Sequence, residues 1–174
     1  MDPLTNFLID RMQDESFEVR EAAGEAVGRF AEQVTSDFLD KHEKVLPCLL
    51  RVIKDLAVSK HDMAIQKTLF ALNEFVQNLD YDIKLYLEDI ITLLVTCYIK
   101  SAHTATTKYW ALVSLASTIN VAQKRIVPYM NDLLGLFDAI INNKGCNEEQ
   151  TVKGQSLFCA GRLAASCGHE EFPQ

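Results

Sequence analysis

The sequence predicts an all-α superhelix, about four helical hairpins stacked in tandem. Apolar residues recur at the i, i+3, i+4, i+7 spacing of one helix face. That pattern itself returns every 44–45 residues along the chain. Glycine and proline number only 7 and 4 in 174 residues, too few for a turn-rich β protein, while a 48% hydrophobic content suffices for a sizeable core.

The stretch Leu4 to Met12 supplies a first, short helix. Ser16 is placed to cap the next one, since a hydroxyl can accept from the unpaired N–H groups of a first turn. Val19, Ala22, Ala23, Ala26, Val27 and Phe30 then mark one apolar face. Phe75 lies 45 positions beyond Phe30, behind Leu69, Ala71 and Leu72. Ile119 follows 44 further on, behind Leu112, Leu115 and Ala116, and Leu163 another 44, behind Ser156, Leu157 and Ala160. A second set of helices alternates with these. Val45-Leu46 with Leu49-Leu50 and Ile53 comes first, then Ile90-Ile91 with Leu93-Leu94, then Leu133-Leu134 with Leu136-Phe137. Polar linkers separate them, at Asp14-Glu15-Ser16, Val58-Ser59-Lys60, Ser101-Ala102-His103 and Asn142 to Gly145, with Gly145 as a helix breaker. Pro47 and Pro128 fall early in the alternating helices and are expected to shape curvature. The helix pairs predicted are residues 3–33, 37–79, 83–121 and 124–167.

Tandem hairpins of this period mark the HEAT class. No single hairpin can bury both of its apolar faces, so neighbouring units must stack to make the core. Neither end shows a polar capping helix, and a fragment of a longer array is the expectation.

Several function classes recede on composition and spacing. A net charge of −7 disfavours direct nucleic-acid binding and suits basic partners. Ile90 to Ile99, the longest apolar stretch, is too short to span a membrane. Five dispersed cysteines form no CxxC pair, which points to a reducing compartment and to no disulfide framework or zinc site. No phosphate-binding loop occurs; Gly24 and Gly28 lie on a helix with no strand before them. His42, His61, His103 and His169 sit at or near linkers of different repeats, away from any nucleophile at motif spacing. Cys167 and His169 offer two metal ligands where four are wanted. Neither an enzyme nor a cofactor is expected.

The face opposite each buried stripe on the recurring helices is the candidate binding surface. On the first it carries Glu21, Glu25 and Glu32; on the second, Gln66, Phe70, Asn73 and Gln77. The third presents Trp110, Ser114 and Ser117, and the fourth Phe158 and Arg162. If these helices line the inside of the superhelix, acids stand at one end and an aromatic in each of the next three repeats. Acids pair with Lys and Arg of a basic partner, and aromatics receive cations or aliphatic stems. The same aromatics would equally fill seams between repeats. Lys41, Lys44, Arg51 and Lys54 are expected on a solvated outer face.

The run Val19-Arg20-Glu21-Ala22-Ala23 with Phe30-Ala31 resembles the inner helix of repeats in the importin-β (karyopherin-β) family. His42 to Leu46, Tyr86-Leu87-Glu88, Ile126 to Met130 and Gly168 to Phe172 are similar to its branch that carries histones and ribosomal proteins. The resemblance implies a nuclear transport receptor shuttling between cytoplasm and nucleus. It implies basic cargo on the concave face, release by the small GTPase Ran in its GTP form, and contacts to FG-repeat nucleoporins. The competing expectation is a HEAT scaffold subunit of a multiprotein complex, of phosphatase or chromatin type, without a transport role.

Overall fold

A computed structural model describes residues 3–31, 40–58, 61–99, 103–142 and 150–168. These residues form α-helices and two 3-10 segments, with no strand among them. In chain order the helices are α1 (Pro3–Arg11), α2 (Phe17–Ala31), α3 (His42–Leu56), α4 (Asp62–Asn78), α5 (Leu87–Ile99), α6 (Ala105–Ala122), α7 (Met130–Asn142) and α8 (Gln150–Cys167). The 3-10 segments, Asp80–Leu85 and Gln123–Tyr129, lead from α4 into α5 and from α6 into α7.

Each odd helix packs on the even helix that follows it, and the even helices stack in sequence, α2 on α4, α4 on α6, α6 on α8. The odd helices meet one another less, α1 with α3 and α3 with α5. A row packed more closely than its partner row lies on the inside of the curve, so the even helices make the concave side. The α-α superhelix that the period predicts is what forms. Phe75, Phe137, Leu46, Ile53, Ile65 and Leu72 are fully buried between the rows. Each contributes about 1.5–3 kcal/mol by leaving water.

Local chemistry starts the helices where the sequence indicates. The Val19 N–H donates to Ser16 Oγ at 3.3 Å, and Thr107 N–H donates to Thr104 Oγ1 at 3.4 Å. Asp80 (φ 44°) and Gln123 (φ 51°) each open a 3-10 segment at the same place in successive repeats. The ring of Tyr81 ties those segments together, with Lys84 Nζ 4.0 Å and the Arg125 guanidinium carbon 4.4 Å from its centroid. Hydrogen bonding from Lys84, and then its charge, hold the Tyr81 phenol below its usual pKa.

Three local expectations need correction. Pro128 lies in the 3-10 segment before α7, where its missing N–H interrupts no α-helical ladder, whereas Pro47 is inside α3. Ala22 faces solvent, because α2 turns the edge bearing Ala23, Gly24, Val27 and Gly28 inward. The reason is close approach: a Cβ on Gly24 would meet Thr68 Cγ2 at 2.8 Å, and one on Gly28 would meet the Lys67 carbonyl oxygen at 2.4 Å. Leu157 is 57% exposed, since α8 buries the stripe Val152, Ser156, Cys159, Leu163 and Ser166 instead. Gly145 and His169 lie outside the described residues.

Candidate partner-binding face

Between successive even helices, small polar side chains reach across the repeat seam. Ser114 Oγ donates to the Leu69 carbonyl at 3.1 Å, and Ser117 Oγ to Asn73 Oδ1 at 2.8 Å. One repeat on, Cys159 Sγ donates to the Leu112 carbonyl and Ser166 Oγ to the Ile119 carbonyl, both at 3.3 Å. Thr68, Thr118 and Ser156 return their hydroxyls to carbonyls of their own helices. Each polar group in the seam is thereby satisfied, which burial requires.

These contacts sort the predicted surface residues. Ser114 is fully buried and Asn73 is 6% exposed, so both belong to the seam and are withdrawn from the accessible face. Gln66 leans across to α6, its Nε2 donating to Thr107 Oγ1 at 3.2 Å. Glu21 pairs with His61 Nδ1 at 3.0 Å, and Glu25 with Arg29 Nη2 at 2.6 Å. The acids of α2 are therefore engaged within the chain. Glu32 lies outside the described residues.

The aromatics hold the surface. Phe70 and Trp110, on neighbouring helices, meet edge to face with centroids 5.6 Å apart at 80°. With Met63, Gln66 and Lys67 they line a recess of about 170 Å³. Met63 is 68% exposed at its rim. Phe158, 50% exposed, stands apart from this pair and lies under the Arg162 guanidinium, 5.1 Å from ring centroid to Cζ. Arg162 Nη1 also donates to Asn120 Oδ1 at 3.0 Å. With Gln77, Ser117 and Gln155 these residues line a second recess of about 300 Å³. The concave side thus offers two half-apolar hollows, each with a cation at its edge.

Met63 and Lys67 escaped the sequence reading, although the signal was present. Met63, Gln66, Lys67 and Phe70 fall at i, i+3, i+4 and i+7, one side of α4. A methionine on an apolar-looking stretch is indistinguishable from core until the seam partner is known.

Two histidines and a cysteine away from this face are held in packing contacts. His103 is buried at the junction, its Nδ1 3.1 Å from Asp62 Oδ1 and its Nε2 3.0 Å from the Ala57 carbonyl. His42 lies against Tyr86 and Asp82. Burial pushes the Cys159 thiol up to about 12. No group of three or more His, Cys, Asp or Glu is placed to hold a metal among the described residues. No described helix is long and apolar enough to cross a membrane.

Stacked hairpins, a satisfied polar seam and a recessed concave face define a helical-repeat protein, and residues 4–34 match the HEAT repeat family. The profile described as the Vacuolar 14 Fab1-binding region matches residues 63–160, more than half of the chain. The chain belongs to that family of HEAT-type scaffolds. This is a different HEAT family from the importin-β family that its shorter sequence runs resemble, and neither match supports importin membership.

Proposed function

We propose that the chain is a scaffold segment that holds a partner protein on its concave side, with the Phe70–Trp110 recess as the anchor point. The observation that carries this reading is the edge-to-face pair itself. Two large aromatics from adjacent repeats remain partly exposed beside an exposed methionine. Aromatic and methionine anchors set in a polar rim are the composition of interface cores. The matched span, 63–160, covers Met63, Phe70, Trp110 and Phe158 together. The family description names a Fab1-binding region, and a Fab1-type protein is the partner we propose for this face.

A second reading, an import-receptor segment carrying basic cargo that Ran-GTP releases, draws on the net charge of −7 and on the sequence runs quoted above. The pairing of Glu21 with His61 and of Glu25 with Arg29 weakens its electrostatic component. Calorimetric titration separates the two. The scaffold reading expects saturable binding of the Fab1 partner, weakened tenfold or more by Trp110→Ala with Phe70→Ala and little affected by Glu21→Lys. Binding of a lysine-rich histone-tail peptide that Glu21→Lys abolishes, with no response to Fab1, would favour the transport reading instead.

A further inference from the structure

The convex side carries a second surface. The odd helices α3 and α5 leave a groove of about 710 Å³ between them. Leu50, Pro47 and Ala57 from α3 and its end, with Leu93 and Tyr86 from the next repeat, form its apolar floor. Val58 and Leu85 stand at its lips, 72% and 58% exposed. Exposed branched apolar residues that gather on one hollow mark an interaction site more often than scattered ones do.

Four charges border this floor: Arg51 and Lys54 on α3, Glu88 and Asp89 on α5. All four are exposed, and none makes an ion pair among the described residues. Their order along the groove follows from how the helices run. Tyr86, just before α5, packs its ring on His42 at the start of α3 with centroids 6.0 Å apart. His103, just after α5, bonds to the Ala57 carbonyl at the end of α3. The two helices therefore start and end together and run parallel. Glu88 and Asp89 lie level with the first turn of α3, and Arg51 and Lys54 lie two to three turns further along, about 10–16 Å at 1.5 Å per residue. These signs complement the helix macrodipoles, yet the charges stay unpaired, so the groove has an acidic end and a basic end.

We propose that this groove docks a helical segment of a partner protein, about three turns long. Its apolar side faces Leu50 and Leu93. A cationic residue at one end meets Glu88 and Asp89, and an anionic residue seven to eleven positions away meets Arg51 and Lys54. Helix-in-groove recognition uses this arrangement of apolar anchors at i, i+3, i+4 and i+7 with charges outside them. The surface is separate from the Phe70–Trp110 recess, being on the other row of helices, and does not depend on what that recess binds.

The test uses fluorescein-labelled amphipathic helical peptides of 14 residues on a common leucine and alanine framework. One carries lysines at its start and glutamates at its end, a second lysines at both ends, and a third glutamates at both. Fluorescence anisotropy with the full chain is expected to show the mixed-charge peptide binding best. Arg51→Glu with Lys54→Glu, both at exposed positions, should weaken that peptide at least tenfold and make the double-lysine peptide the preferred one. Circular dichroism checks that the variant keeps its helices. Failure of the mixed-charge peptide to bind overturns the proposal. So does binding that ignores the charge reversal, or binding lost on Trp110→Ala rather than on the groove variant.

Discussion

Gly28 of α2 and Lys67 of α4 touch through their backbones: a Cβ on Gly28 would lie 2.4 Å from the Lys67 carbonyl oxygen. The first two even helices approach this closely because α2 presents Gly24 and Gly28 on one edge, four residues apart. Lys67 is also a wall of the Phe70–Trp110 recess, so the close approach fixes where that recess stands relative to the first repeat.

Gly28→Ala should therefore destabilise the chain, although alanine is the better helix former by about 1 kcal/mol. The obstacle is backbone, which yields only if the seam opens, and overpacking of this kind costs about 1–3 kcal/mol. Gly135→Ala, Gly154→Ala and Gly161→Ala serve as contrasts, since a Cβ there meets nothing within 4 Å. Thermal unfolding should show Tm falling for Gly28→Ala and unchanged or rising for the other three. A neutral Gly28→Ala would mean that the α2–α4 seam is looser than described.

At the α6 end, Gln123 takes φ 51° and ψ −135°, a region open to glycine and costly for other residues. Gln123→Gly should raise stability by about 0.5–1 kcal/mol in urea unfolding, against the usual direction for a glycine substitution. A loss of that size would show that the Gln123 side chain contributes more than its backbone strain costs.

His103 stitches three elements. It meets the last carbonyl of the α3 end at Ala57 and the first-turn carboxylate of Asp62 on α4, to which Thr107 also donates at 3.1 Å. His103→Ala removes the side-chain partner of the Ala57 carbonyl, while Asp62 keeps its bond from Thr107, and should cost about 1–3 kcal/mol. A double-mutant cycle with Asp62→Asn should return a coupling well above the few tenths of a kcal/mol expected of independent sites. Additive losses would separate the two residues energetically.

The period of 44–45 residues and the helical spacing told most of the fold in advance, because stacked repeats bury the same stripe each time. Less legible were the places where the stripe is decided by a neighbour. Ala22 looked apolar and inward until the glycine edge of α2 met Lys67, and Leu157 looked buried until Cys159 and Ser166 fixed the rotation of α8. Of the candidate face, Phe70, Trp110 and Phe158 were placed at the surface by their helical spacing, and there they stand. Ser114 and Asn73 were not separable from it, since a serine at a seam and a serine at a surface share one helical position. Nothing local announced the left-handed Asp80 and Gln123, which replace the glycine usual at such turns.

Cys159 gives a pH dependence. Its thiol stays protonated in the folded protein to about 12, whereas the unfolded chain ionises it near 8.5–9. The folded state then binds more protons between those values, so its contribution to stability falls as pH rises through that window, by about 1.4 kcal/mol per pH unit at most. Urea unfolding at pH 8 and pH 10.5 should show a drop in wild type that is smaller by roughly 2 kcal/mol in Cys159→Ala. Equal drops would place the alkaline sensitivity elsewhere.

Trp110 is the only tryptophan in the chain, so its fluorescence reports directly on the recess it forms with Phe70. The most direct measurement is the Trp110 emission spectrum during titration with the proposed partner protein, made tryptophan-free where its own emission overlaps. A saturable blue shift that Phe70→Ala and Met63→Ser weaken, with folding retained, is the predicted result. Saturable binding by calorimetry under the same conditions, with Trp110 emission unchanged and both variants binding as wild type does, would contradict the assignment of the concave aromatic recess as the partner site.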